Sequence, residues 1–189
     1  NAGLAALAQL PLESLTLFRC NAINDEGLKI VSQWGKLRSL SLRDMAIRGD
    51  FFKELAGLPS LRTLSAIQTM VSDGALQHLT GCEQLEELAL AQTLVTDGGL
   101  EAMSHLKNLK RLDLAQTPVS DQGLAHLATL RQLEWLNLSG NLGITDQSVK
   151  LLLDLPQLKE VYLDGTSMTQ EGLAQLGPRA RTVLALDDQ

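Results

Sequence analysis

Aromatic side chains are scarce: two Trp, one Tyr and three Phe make up 3% of the 189 residues. An interior built without them must be filled by aliphatic residues, so any aromatic at the surface stands out. Cysteine is confined to Cys20 and Cys82, which excludes a disulfide-stapled framework; two separate free thiols lean toward a reducing compartment. Positive charge is short as well, with 16 Lys and Arg against 22 Asp and Glu and a net charge of -6. That balance offers no basic surface for phosphate backbones and argues against nucleic acid as a partner. No apolar run resembles a membrane span or a signal-peptide core, and no low-complexity linker divides the chain.

What the chain has in quantity is leucine at fixed intervals. Counting from Leu85 through Asn108, apolar residues stand at offsets 0, 3, 5, 10, 15, 18 and 21, with Thr93 at 8, Thr96-Asp97 at 11 and 12, and Gly99 at 14. Leu88 and Leu90 alternate with small or polar neighbours as a half-buried strand does, whereas Leu100, Met103 and Leu106 step by threes along one helix face. Between them, either side chain of Thr96-Asp97 can accept from an orphan amide of the first helical turn. The same skeleton opens full units at Leu12, Leu37, Leu61, Leu85, Leu109, Leu133 and Leu158. A half unit over 1–11 precedes them, with Asn1 in the Asp97 place and Gly3 in the Gly99 place, and reads as a repeat cut from a longer array or as a cap. A unit of about two dozen residues cannot bury its own apolar stripe, so neighbours must stack and share one core.

The stretches LEELALAQT, LKRLDLAQT and LEWLNLSGN resemble the L-x-x-L-x-L-x-x-(N/C/T) core of the leucine-rich repeat family, over essentially the whole chain. The T-D-x-G-L element is similar to the cysteine-containing repeats of F-box substrate receptors and to short bacterial arrays, and LESLTLFRCNAINDEGL keeps the Cys. The resemblance implies an α/β fold: a right-handed leucine-rich-repeat solenoid, or horseshoe, with a parallel concave sheet and convex helices, residues 1–189 forming one array. Strands are expected near 12–17, 37–42, 61–66, 85–90, 109–114, 133–138, 158–163 and 182–186, each but the last followed by a helix. Eight such strands make a sheet on the order of 35 Å wide. The resemblance further implies that the offset-8 side chains, Thr69, Thr93, Thr117 and Asn141, point inward and bond neighbouring loop backbone. The unit from Leu37 departs most: Met45 holds offset 8, and RGDFF replaces the helix start, so Phe51 and Phe52 should push that helix outward.

Catalytic chemistry finds little support. His78, His105 and His126 fall on outward helix positions with no second ligand at i+3 or i+4, no nucleophile elbow occurs, and Gly98-Gly99 is a helix entry instead of a phosphate loop. No cofactor is expected. The informative residues are those displayed between the core leucines at offsets 2, 4, 6 and 7. In the middle units these are small. Toward the C-terminus Trp135 and Tyr162 fall on adjacent strands within diagonal reach, flanked by Arg111, Asp113, Asn137, Glu160 and Asp164. Two of the few large amphipathic aromatics beside Arg and carboxylates have the composition of a protein-interaction hot spot. Phe18, Arg43 and Ile67, all at offset 6, form a second stripe. The expected function is a non-enzymatic scaffold that binds a protein or peptide through its concave face. The alternative is the substrate-recognition region of a larger effector or ubiquitin-ligase-type protein whose active domain lies outside this chain.

Overall fold

In the computed structural model of the chain, residues 1–181 are described. They form one eight-stranded sheet in sequential order, with every neighbouring pair parallel. The strands are β1 (Ser14–Phe18), β2 (Ser39–Met45), β3 (Thr63–Thr69), β4 (Glu87–Ala89), β5 (Arg111–Asp113), β6 (Trp135–Asn137), β7 (Glu160–Tyr162) and β8 (Ala180–Arg181). Leu15, Leu40, Leu64, Leu88, Leu112, Leu136, Val161 and Ala180 stand in one line of register across all eight. From Leu37 on, the offset-0 and offset-3 leucines are buried, and each is worth roughly 1.5–3 kcal/mol relative to exposure. The core runs unbroken from Leu4 to Leu176, as a stack of mutually dependent rungs requires.

The strands begin two residues later than the leucine pattern suggests. The offset-0 leucine closes the preceding turn, as when the Leu85 amide donates to the Cys82 carbonyl at 3.0 Å and the Leu109 amide to that of Leu106 at 3.0 Å. The expected final strand at 182–186 lies outside the described residues, while β8 already forms at Ala180–Arg181.

The return helices are shorter and tighter than expected. Asp25–Leu28 is α-helical and continues as a 3₁₀ turn over Lys29–Gln33. Asp73–Leu76 and Asp121–Leu124 do the same, and Asp50–Gly57 is 3₁₀ throughout. Steps of three eclipse on a 3₁₀ helix, so core residues at offsets 15, 18 and 21 suit it as well as they suit an α-helix. Phe51 and Phe52 meet edge to face with ring centroids 5.0 Å apart. Both are fully buried, so the second unit is repacked around its aromatics.

The T-D-x-G-L element acts across repeats. Its hydroxyl caps its own helix, as Thr96 does for the Gly98 amide and Ser120 for that of Gln122. The aspartate was expected to cap the same helix but instead latches the next unit. Asp73 accepts from the Thr96 amide at 2.7 Å and its hydroxyl at 2.5 Å, and Asp97 accepts from the Ser120 amide at 2.7 Å and its hydroxyl at 2.5 Å. Asp121 takes Thr145 and Ser148, and Asp146 takes the Thr169 amide at 2.9 Å and hydroxyl at 2.7 Å. Asn1 stands in for the aspartate against Asn24. The glycine of the element is the partner of this latch, because a Cβ at Gly123 would run into Asp97 and one at Gly172 into Asp146. The latch is missing between the second and third units. There Gly49, at φ +87, occupies the aspartate place and Ala75 packs against it.

The offset-8 threonines also differ from expectation. Thr69, Thr93 and Thr117 are buried, but each hydroxyl donates to a carbonyl three residues earlier in its own unit, at 2.7, 2.6 and 2.7 Å. Only Asn141 bridges units as foreseen, accepting from the Thr117 amide at 2.8 Å and donating to the Leu114 carbonyl at 2.9 Å. At Met45, which has no such group, β2 simply continues and pairs with Thr69. Cys82 is buried, and that burial pushes its thiol up to about 11, so it stays protonated at neutral pH.

Candidate functional site

The outward face of the sheet is set by strand alternation: every second residue points away from the leucine core. Register places Thr63, Glu87, Arg111, Trp135 and Glu160 in one row and Ser65, Ala89, Asp113, Asn137 and Tyr162 in the next. In the first row the Arg111 guanidinium lies 4.4 Å from the Trp135 ring centroid. On the other side of Trp135 comes Tyr162, with centroids 5.3 Å apart and planes tilted by 47°. The Tyr162 hydroxyl reaches Glu160 at 3.4 Å, and Glu160 also pairs with Arg181 at 3.2 Å. The predicted cluster is therefore one connected stack running from β5 to β8. Each ring contact contributes about 0.5–1.5 kcal/mol and holds the next side chain in place.

Asp113 and Asn137 support this stack from the second row. Asp113 accepts from the Ala115 amide at 3.1 Å and Asn137 from the Ser139 amide at 3.0 Å, each bracing the chain where it leaves its strand. Burial pushes the Asp113 carboxyl above its ordinary value, against the opposing pull of the Ala115 amide, the Asn137 side chain and Arg111. Asp164 sits beyond β7, one residue before the turn at Gly165. Between the stack and the small residues of β3 and β4 lies a depression of about 210 Å³, walled by Arg111, Asp113 and Trp135 with Ser65, Glu87 and Ala89 on its other sides.

Phe18, Arg43 and Ile67 occupy a single register line on β1, β2 and β3. Phe18 is 52% exposed, and the Arg19 guanidinium lies 4.9 Å from its centroid while pairing with Asp44 at 2.5 Å. The two predicted clusters stay apart, with strand β4 between them.

Offset 7 departs from strand geometry. Arg19, Asp44, Gln68, Gln92 and Gln116 all have φ between 53 and 57, and Gly140 and Gly165 hold the same place at 78 and 66. The chain turns left-handed there so that offset 8 can swing inward, and most residues adopt that conformation only at a cost of order 1–3 kcal/mol. The two glycines were the sequence signal for it. A second feature went unnoticed at offset 9, where Met70, Leu94 and Leu142 are 43%, 55% and 74% exposed and, with Pro118, line the rim beside the sheet. His78 and His105 are exposed and His126 is half-buried. Among the described residues no group of three or more His, Cys, Asp or Glu is placed to hold a metal ion, and no helix is long and apolar enough to cross a membrane.

A leucine-rich repeat family model matches residues 10–29 and 105–128, both within the repeat register described above. The fold is that of a leucine-rich-repeat solenoid. Its solenoid is similar to the internalin inlF of Listeria monocytogenes, with a TM-score of 0.64 and 20% identity, covering 93% of this chain and 55% of that one. It is also similar to internalin C2 of the same species, with a TM-score of 0.58 and 22% identity, covering 90% of this chain and 80% of the other. The chain thus spans about half the length of the first of these, 55%. No curated protein matches it.

Proposed function

We propose that this leucine-rich-repeat chain is a non-enzymatic scaffold, of the short bacterial type, that holds a protein or peptide partner against the C-terminal half of its concave sheet. The observation that carries this reading is the Arg111–Trp135–Tyr162 stack, an aromatic and arginine surface ordered by its own neighbours on rigid strands. A side chain already fixed loses little freedom on binding, and a large aromatic at the centre of a contact hides much area from water. The acidic balance of -6 favours a neutral or basic partner over nucleic acid.

The test starts from a partner recovered by affinity capture with the intact chain. Trp135→Ala should weaken binding by more than about 1 kcal/mol with the fold intact, and Lys107→Ala on the helix side should leave affinity unchanged. Normal binding by Trp135→Ala, with loss in Phe18→Ala or Arg43→Ala, moves the site to the N-terminal stripe.

A further inference from the structure

Arg111 stands between two register neighbours, Glu87 on β4 and Trp135 on β6. A cross-strand carboxylate is its usual ion-pair partner, yet its guanidinium lies over the Trp135 ring at 4.4 Å. Among the described residues Glu87 makes no ion pair, although it is exposed at the mouth of the depression of about 210 Å³. Asp113, half-buried on the opposite wall, has Arg111 as its one nearby cation among the described residues. The base between them is Ala89, which leaves room where a longer side chain would fill the space.

We infer that this depression receives a lysine or arginine side chain of the partner, its aliphatic stem lying on Ala89 and against Trp135 and its charged head between Glu87 and Asp113. The inference rests on the concave-face reading above and adds the chemistry of the guest. Charge complementarity selects it: two carboxylates face the space, and the one guanidinium beside them is committed to a ring. An acidic guest would meet both carboxylates, and a purely apolar one would strip water from Asp113 with nothing in return.

The experiment is selection of a random peptide display library against the intact protein, followed by affinity measurement of the selected peptides. Selected sequences should share a lysine or arginine whose replacement by glutamine abolishes binding. Glu87→Lys should weaken them about tenfold or more and Glu87→Gln about threefold. Ala89→Leu should also reduce binding by filling the space, and circular dichroism melts should match the parent throughout. Selection of acidic or purely apolar peptides, or of none, overturns the inference. Peptides that lose affinity with Trp135→Ala but keep it with Glu87→Lys overturn the basic guest and leave the concave reading standing. Peptides indifferent to both variants overturn both.

Discussion

The two ends of the sheet's outward face carry similar side chains on different foundations. At the N-terminal end Phe18, Arg43 and Ile67 sit on long strands, above a unit that has Met45 in place of the threonine and Gly49 in place of the latch aspartate, with Phe51 and Phe52 filling its core. At the C-terminal end Arg111, Trp135 and Tyr162 sit on strands of three residues, above units tied by Asp97, Asp121, Asp146 and Asn141. Asp25 ties the first unit to the second through the Arg48 and Gly49 amides, but apolar packing alone replaces the latch at the next junction. The C-terminal junctions at Asp97, Asp121 and Asp146 all keep their inter-unit hydrogen bonds. Directional bonds fix register from one rung to the next, which aromatic packing does less strictly, and a preorganised stack needs that register most.

The largest effect should come from breaking the N-terminal packing. Phe52→Ala should cost about 3–5 kcal/mol, the usual range for emptying a buried phenylalanine site, read as a lowered urea midpoint. A smaller loss would mean that the second unit closes around the cavity. At the other end Asp97→Ala should cost about 1–3 kcal/mol by stranding the Ser120 amide and hydroxyl. Asp50→Ala, beside the junction that has no latch, should stay within about 0.5 kcal/mol. Equal melts for these two variants would remove the latch from the account.

Asn141→Leu should cost about 1–3 kcal/mol because the buried Thr117 amide loses its acceptor, whereas Ser139→Ala should be nearly silent in the same thermal melt. A further effect depends on pH. Because burial holds the Asp113 proton more tightly in the folded chain than in the unfolded one, its contribution is favourable in acid and is lost as pH rises through the folded value. Asp113→Asn should therefore gain stability relative to the parent near neutral pH, and the gain should shrink to nothing below the ordinary carboxylate range of about 4. A gain that is constant with pH would assign it to packing.

Much of this was legible in the sequence because the leucine spacing leaves one way to stack: strand order, register, core and the separation of the two clusters all follow from offsets 0, 3 and 5. The latches were half-legible. Asp97 reads as a helix start, but its own helix already has Thr96 as cap, and the amide it serves lies one unit away at Ser120. The pairing of Gly99, Gly123 and Gly172 with an aspartate in the preceding unit, and of Ala75 with Gly49, was present in the sequence as a match between units. The left-handed turn at offset 7 was hidden by the Arg, Asp and Gln that occupy it in five units. Nor could spacing decide whether Arg111 would turn to Glu87 or to Trp135, since register puts both within reach.

Whether the partner covers the C-terminal end can be read from the protein's own fluorescence. Trp34 is 1% exposed and bonded through its indole to the Leu7 carbonyl, so a dissolved quencher such as iodide reaches chiefly Trp135. Quenching should fall sharply when the captured partner saturates the native chain. A bound partner that leaves iodide quenching of Trp135 unchanged would contradict recognition at this face.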